Sequence, residues 1–583
     1  MARPPTIGRD ANIAGAFFAA AAKYPQKAAI IEPIGARGEA VRSITFAELA
    51  ALTTTYANGL RAAGLQRGMK CVLFVPPSID FFALTFALFQ IGVAPVLIDP
   101  GIGAQQMGRC LTSVAVDGFI GVPKAHVFRL LYRRAFRLLR VSITVGRRLF
   151  WGGRTLYEVE RLGATAAGGS TNDKSPTEAM TESDLAAILF TSGSTGPAKG
   201  VEYTHGTFQA QVAYLQSQYG YGPDEIDLPT FPLFALFDAA LGMTAVIPRM
   251  DFTRPGSVDP REIVGRANRF GCTHMFGSPA LLRRLAPSAD PTGPRFTTMR
   301  RVITAGAPVS PDVLRGYARL LPAGAKIFTP YGATESLPVS SIDHDEILAD
   351  TAEKTRQGAG VCVGRPLPGL DVRIIEISDE PIATWRDVRE LPPHVVGEIC
   401  VRGPIVTRAY HGLPDHTRLA KIVDGDAIWH RMGDVGYFDE RGRLWMCGRK
   451  SQRVVVSKEA WERVAGPLPE KLPTGLARTR DADHLVLFTE PLESIAAQFP
   501  GVRRAALVGL GTRPMQTPVM CFELAGVATR DAFRANLASH IATAGIEHCL
   551  VHSGGFPVDV RHNAKIFREK LAIWAAKSIK THR

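Results

Sequence analysis

Cysteine pairing is what this chain most visibly lacks. Its eight cysteines, at 71, 110, 272, 362, 400, 447, 521 and 549, are scattered over 583 residues, and no two stand in C-x-x-C spacing. A chain of this length needs no disulfide framework, so they read as reduced, mostly buried thiols of a cytoplasmic protein. The N-terminus, MARPPTIGRDANIAGAF, has no apolar core beside a cleavage site and does not read as a signal peptide. The longest apolar run, 81–98, is interrupted by Gln90, Gly92 and Pro95. It fits a buried helix (79–90) leading into a buried parallel strand (94–98) better than a membrane span. No repeat of fixed period is visible, and no nucleic-acid motif with interleaved aromatics appears. Acidic residues are outnumbered: 54 Asp and Glu against 68 Lys and Arg leave a net charge of +14. That excess points to an anionic partner, whether nucleic acid, a membrane surface or a phosphorylated small molecule, and the total does not choose among them.

What the chain does have is an ordinary globular balance, 46% hydrophobic and 21% charged, which excludes a disordered chain, a collagen and a coiled coil. Its length suggests about four domains on a simple prior, and two or three if α/β domains are large. The stretch 44–65 reads as a helix with Thr45 as N-cap and Glu48 three residues on, a capping box. Apolar strands at 70–76, 116–124, 187–190, 243–247, 273–276 and 301–305 alternate with helical patterns, which predicts α/β layers. A low-complexity loop spans 163–184. From about 395 the pattern changes to short strands joined by turns. We expect an N-terminal domain over 1–448, a hinge at 449–453 and a small α+β C-terminal domain over 454–583. Within the last, 457–484 is rich in proline and charge and reads as an exposed insertion.

The strongest segment is AILFTSGSTGPAKG (187–200), an apolar strand running into Thr191, Ser192, Gly193, Ser194, Thr195, Gly196 and, after two residues, Lys199. Glycines let the backbone turn tightly and bring N–H groups to an anion, while hydroxyls and an ammonium supply donors suited to polyphosphate. The Walker A spacing is absent, and a flexible linker seldom follows a buried strand without a break.

With this loop the chain resembles the adenylate-forming superfamily of acyl-CoA synthetases, luciferases and peptide-synthetase adenylation domains. Three further segments match in the expected order: TPYGATES (329–336), WHRMGDVGYFDERGRLWMCGRK (429–450) and HNAKIFREKL (562–571). The resemblance implies an α/β fold whose large N-terminal part holds two α/β subdomains and a small β-rich one. It implies ATP and Mg²⁺ as cofactors. Tyr331 would then stack on adenine, with Gly332, Thr334 and Ala307 beside the nucleotide. Glu335 and Thr191 would hold the metal, Asp434 would accept the ribose hydroxyls, and Arg449 would add a ribose or phosphate contact. Lys565 would be the adenylation lysine, which makes Lys565, Glu335 and Thr191 the catalytic set. Taken alone each has a plainer reading: Glu335 as a helix-terminal carboxylate, Asp434 as a turn cap, Lys565 as a solvated helix residue.

Departures from the superfamily pattern bear on the acyl acceptor. Ala235 stands where a His commonly follows Pro-Leu-Phe, Ser451 occupies the hinge position, Ala564 replaces a glycine, and no pantetheine-facing loop is recognisable. The segments 227–255, 358–382 and 556–575 resemble the β-lactone synthetases of bacterial olefin biosynthesis. That resemblance implies adenylation of a long-chain 2-alkyl-3-hydroxy acid and closure by its own 3-hydroxyl. The alternative is a long-chain fatty acyl-CoA or acyl-AMP ligase. Phe234, Phe237, Phe276 and Gly306 are candidates for the acyl pocket, with a core role equally open for the aromatics. His205, His274 and His430 lie near motifs without an assigned role. Finally, 126–150 reads as a basic amphipathic helix with Arg129, Arg133, Arg137 and Arg140 on one face, a surface for anionic lipid or a pathway enzyme, or an Arg-rich helix packed on its own domain.

Overall fold

The computed structural model describes residues 11–35, 40–167, 177–190, 198–288, 293–479, 482–525, 530–558 and 566–581. Two seven-stranded sheets organise the N-terminal part. The first runs in the order Arg154–Thr155, Val141–Thr144, Gly118–Gly121, Lys70–Phe74, Ala94–Leu97, Leu185–Phe190 and Gly200–Thr204, parallel throughout except for its last pair. The second runs Lys326–Phe328, Arg301–Ile303, His274–Phe276, Ile226–Pro229, Thr244–Val246, Ala28–Ile34 and Ala40–Thr45, with only the last pair antiparallel. Parallel strands need helices on both faces, and the alternation read in the sequence supplies them. The helix Ile79–Gln90 is buried along all but one of its positions and packs in a core shared by both sheets, with Phe17, Ile30, Phe46 and Leu97. It leads into the strand Ala94–Leu97, as the interrupted apolar run predicts.

The helix Phe46–Ala62 opens on the expected capping box: Thr45 accepts from the Glu48 N–H at 3.2 Å and the Glu48 carboxylate accepts from the Thr45 N–H at 2.8 Å. Its partner helix, Leu156–Ala167, covers the start of the segment expected as a loop. The two approach so closely that a Cβ on Gly163 would lie 1.9 Å from the Thr55 carbonyl oxygen. That contact explains the glycine and shows why composition alone misled.

A third, eight-stranded sheet carries Tyr331–Ala333, Ser336–Ser341, Val361–Pro366, Leu444–Arg449, Ala427–Phe438, Gly397–Arg402 and Asp371–Ile375, with Lys421–Asp424 paired beside Ala427–Phe438. Beyond it lie two three-stranded sheets, Val454–Ser457 with His484–Leu487 and Leu476–Arg478, then Val502–Leu510 with Thr517–Leu524 and His548–Val551. One core cluster, from Val454 to Cys549, draws its buried residues only from this last part of the chain.

Two expectations need correcting. The segment 457–484 is not an exposed excursion: it forms the helix Lys458–Ala465, whose Trp461 is 2% exposed, and the strand Leu476–Arg478. Its prolines punctuate elements that contribute to the core. The stretch 126–150 is not one helix. The helix Pro123–Leu131 stops at Tyr132, a 3-10 turn covers Arg133–Phe136, and Val141–Thr144 is a strand beside Gly118–Gly121. Arginine spacing suggested a helix, but Val141, Ile143 and Thr144, all β-branched, are buried in a sheet strand, and tertiary pairing wins over local periodicity. All eight cysteines are buried, and none is in a disulfide. Among the described residues no helix is long and apolar enough to cross a membrane.

Candidate active site

The hairpin Tyr331–Ala333 to Ser336–Ser341 turns through Thr334 and Glu335. Gly332 is demanded by packing, since a Cβ there would sit 2.6 Å from the Ser336 carbonyl oxygen. The Tyr203 hydroxyl donates to the Thr334 carbonyl at 2.5 Å and ties the turn to the first sheet. Opposite, Asp434 and Arg449 are register partners on neighbouring strands. The Tyr331 hydroxyl donates to Asp434 Oδ2 at 2.8 Å, and Arg449 Nε lies 3.0 Å from Asp434 Oδ1. Asp434 is buried, and the guanidinium offsets the desolvation of its carboxylate.

Glu335 forms a second centre. It is 9% exposed, its carboxylate accepts from the Tyr410 hydroxyl at 2.5 Å, and its backbone carbonyl accepts from both the N–H and the hydroxyl of Thr407 at 3.0 Å. Two lysines flank this centre. Lys199 Nζ sits 4.8 Å from the centre of the Tyr410 ring, and the buried Lys421 donates to the Thr407 carbonyl at 2.5 Å. Burial lowers the proton affinity of both ammonium groups, Lys421 to about 7, while the Glu335 charge pulls both back up. Burial, and then the Glu335 carboxylate, hold the Tyr410 hydroxyl protonated, as a donor must be.

Of the residues expected from sequence, Tyr331, Gly332, Thr334, Glu335, Asp434, Arg449 and Lys199 therefore gather at this cleft. Ala307 lies half-buried in the turn after Arg301–Ile303. Thr191, Ser192, Gly193, Ser194, Thr195, Gly196 and Lys565 lie outside the described residues. The strands flanking 191–197 pair through Phe190 and Gly200, so both flanks share one sheet edge. Near Lys565, Arg568 makes a 2.6 Å ion pair with Glu493 and donates to Gln452 Oε1 at 3.0 Å, joining the last helix to the expected hinge. Within the segment expected as a hinge, Lys450 pairs with Glu398 at 2.9 Å and Arg453 with Asp379 at 2.7 Å.

Phe234, Phe237 and Phe276 line a cavity with Gln211, Ile303, Ala305, Pro330, Leu337 and Pro338. Phe234 and Phe276 lie against each other, tilted by 35°, with centroids 4.5 Å apart. Pro330 adjoins Tyr331, so the cavity abuts the charged cleft. Gly306 falls in the exposed turn beside Ala305 rather than in the lining. Part of the cavity lining is polar. Asp227 and Asp238 bond to each other there, and His274 stands 3.6 Å from Asp227 and 2.6 Å from the Tyr221 hydroxyl. Burial raises both carboxyls, Asp227 to about 7, and lowers His274 to about 3. Of the other histidines, His205 accepts from the Ile13 N–H and His430 is buried against the Ala420 carbonyl, both structural arrangements.

Sequence reasoning missed Tyr410, Thr407, Lys421 and the Asp227–Asp238 pair. A lone Tyr or Lys between motifs carries no local pattern, and only Asp238, within the Phe-rich segment 231–238, sat beside a residue already under consideration.

A family model described as AMP-binding enzyme matches residues 17–411. An olefin beta-lactone synthetase of Stenotrophomonas maltophilia is 46% identical over 98% of this chain and 99% of its own length. One from Xanthomonas campestris pv. campestris is 47% identical over 97% and 98%. ATP-bound MatB from Rhodopseudomonas palustris superposes with a TM-score of 0.72 at 21% identity, covering 97% of this chain and 100% of that one. O-succinylbenzoate coenzyme A synthetase from Bacillus subtilis, in complex with ATP and magnesium ion, gives 0.68 at 18%, covering 95% and 98%. At these identities the two structures establish the shared fold.

Proposed function

The chain belongs to the AMP-binding enzyme family, and from that premise we propose that it converts a 2-alkyl-3-hydroxyalkanoic acid with two long chains into a β-lactone, consuming ATP and releasing AMP and pyrophosphate. The observation that carries this reading is near half identity, over almost the entire length, with two olefin β-lactone synthetases. That likeness extends past residue 411, where the family model ends, through the C-terminal part.

The cleft suits a nucleotide. Asp434, held by Arg449, accepts the ribose hydroxyls, and the Tyr331 hydroxyl bond to Asp434 fixes the ring that stacks on adenine. Gly332, Thr334 and Ala307 border the base and α-phosphate. Lys199 and the hydroxyls of Thr191, Ser192, Ser194 and Thr195 meet the polyphosphate, with Gly193 and Gly196 allowing close backbone approach. Glu335, oriented by Tyr410 and assisted by Thr191, is the hard oxygen donor for Mg²⁺, which supplies charge neutralisation on the phosphates. In the first step a substrate carboxylate oxygen attacks the α-phosphorus and pyrophosphate leaves, with Lys565 placing positive charge where negative charge develops. In the second, the substrate's 3-hydroxyl oxygen attacks the acyl carbon, its proton is taken up, and the bond from the acyl carbon to the phosphate oxygen breaks to release AMP. Both reacting groups belong to one molecule, so proximity offsets part of the strain of the four-membered ring.

The acyl chain enters the cavity walled by Phe234, Phe237 and Phe276, with Gly306 at its rim. Residues 454–583 act as a lid on the hinge 449–453. We place the enzyme in the cytoplasm, peripheral to the inner membrane that holds its lipid-like substrate. Incubation with ATP, Mg²⁺ and a 2-alkyl-3-hydroxy acid, with and without CoA, followed by NMR of the products, tests the reading. A β-lactone formed without CoA is the expected result, and a thioester, or no AMP release, overturns it.

A further inference from the structure

Between 123 and 157 the chain carries nine Lys and Arg and no Asp or Glu, against a net charge of +14 for all 583 residues. Most of the molecule's excess charge is thus concentrated in one short segment. The fold gathers this segment at one place. It follows the C-terminal ends of Gly118–Gly121 and Val141–Thr144, which are parallel neighbours. The helix Pro123–Leu131 and the loop 145–153 are clamped together by His126 stacked on Trp151 at 5.1 Å and by Arg129 donating to the Trp151 carbonyl at 3.1 Å. The clamp leaves Leu131 75% and Phe150 81% exposed, with Leu138, Leu149 and Tyr157 also exposed. Arg133, Arg134, Arg137, Arg140, Arg147 and Arg154 are exposed beside them.

We propose that this face docks the protein on an anionic lipid surface, with Leu131, Leu149 and Phe150 entering the headgroup boundary and the arginines meeting lipid phosphates. Large exposed apolar side chains interspersed with a strong excess of cations match the chemistry of such a surface, with Glu158 paired to Arg148 at 3.2 Å at its edge. A docking groove for a folded partner has a concave apolar core, whereas these residues project singly. The position is also consistent with substrate delivery. The strand Leu185–Phe190, parallel to its neighbours in the sheet that ends in this face, finishes at the same edge. Tyr132 packs on Gly108 of the helix Ala104–Val114, and Cys110 of that helix contacts the Ala198 carbonyl at 3.8 Å. The inference concerns the surface alone and stands whether or not the acyl acceptor is the substrate's own hydroxyl.

The test is flotation of the full chain with vesicles of phosphatidylcholine alone and of phosphatidylcholine mixed with phosphatidylglycerol. Binding to the mixed vesicles should exceed binding to the neutral ones by about tenfold or more and should fall as salt is raised. Reversing Arg133, Arg134, Arg137 and Arg140 to Glu should weaken it by roughly a hundredfold or more. Phe150→Ala with Leu149→Ala, which leaves every charge in place, should weaken it several-fold, and both variants should keep wild-type AMP release on detergent-dispersed acid. Equal binding to both vesicle types, no binding by the wild type, or undiminished binding by the two variants overturns the proposal. Capture of an acidic protein in place of vesicles would overturn it too.

Discussion

At the proposed nucleotide side of the cleft, Asp434 faces the Arg449 guanidinium at 3.0 Å and accepts from Tyr331, whereas at the proposed acyl end Asp227 and Asp238 bond to each other. Both settings are buried, yet they treat a carboxyl group in opposite ways. A carboxylate facing a guanidinium at 3.0 Å has its charge offset by a fixed cation. Two carboxyls sharing one apolar pocket shed charge: burial raises both, the Asp227 charge raises Asp238 further, and their mutual hydrogen bond pulls Asp227 partly back. One end of the cleft is built to hold anions and the other to avoid being one. The +14 charge of the chain is likewise unevenly placed, with part at the lysines around Glu335 and much of it at the exposed arginines of 133–154.

The sharpest way to break this comparison is to remove the charge that the nucleotide side places on the reacting phosphorus. Lys565→Ala should lower adenylate formation roughly 10²- to 10³-fold while ATP still binds. Pyrophosphate release and calorimetric ATP binding measure the two effects, and full activity would refute the assignment. Next is Asp434→Ala, which strips the ribose acceptor and leaves Arg449 without its partner. We expect ATP binding weakened by roughly thirtyfold, about 2 kcal/mol, with little change in affinity for the acid. Tyr410→Phe removes one hydrogen bond to a charged group, worth about 1.5–3 kcal/mol. It should reduce kcat about tenfold or more and raise the Mg²⁺ concentration needed for half activity.

The smallest effect is at the other end and concerns stability. Asp227 is raised from 3.8 to about 7 in the folded state, so the folded protein holds a proton that the unfolded chain gives up. The resulting stabilisation is full below pH ~4 and is lost as pH rises through ~7. Urea unfolding should therefore show stability falling between about pH 5 and about pH 7 by up to roughly 1.4 kcal/mol per pH unit. Asp227→Asn should flatten that slope without changing ATP binding, and an unchanged slope would mean that the pair does not share its proton.

Much of this arrangement was legible in the sequence. The Thr45–Glu48 cap and the helix–strand pair at 79–98 announce themselves because capping and apolar patterning are local. So do the segments holding Tyr331, Glu335, Asp434 and Arg449, although only the fold brings positions 103 residues apart to 2.8 Å. Tyr410 and Lys421 were not legible, since their meaning comes entirely from what the third sheet sets beside Glu335. The arginines at 129–140 were read correctly as a charged surface and wrongly as a single helix. Their spacing is a local signal, and the pairing of Val141–Thr144 with Gly118–Gly121 is not.

The central claim is that the acyl acceptor is the substrate's own hydroxyl, and isotope tracing tests it most directly. The 2-alkyl-3-hydroxy acid is prepared with heavy oxygen in the 3-hydroxyl in one sample and in the carboxyl group in another, then turned over with ATP and Mg²⁺. The account predicts that hydroxyl label stays in the lactone ring and that carboxyl label divides between the lactone carbonyl and the phosphate of AMP. Unlabelled AMP from the carboxyl-labelled acid, or a lactone that has lost the hydroxyl label, would contradict it.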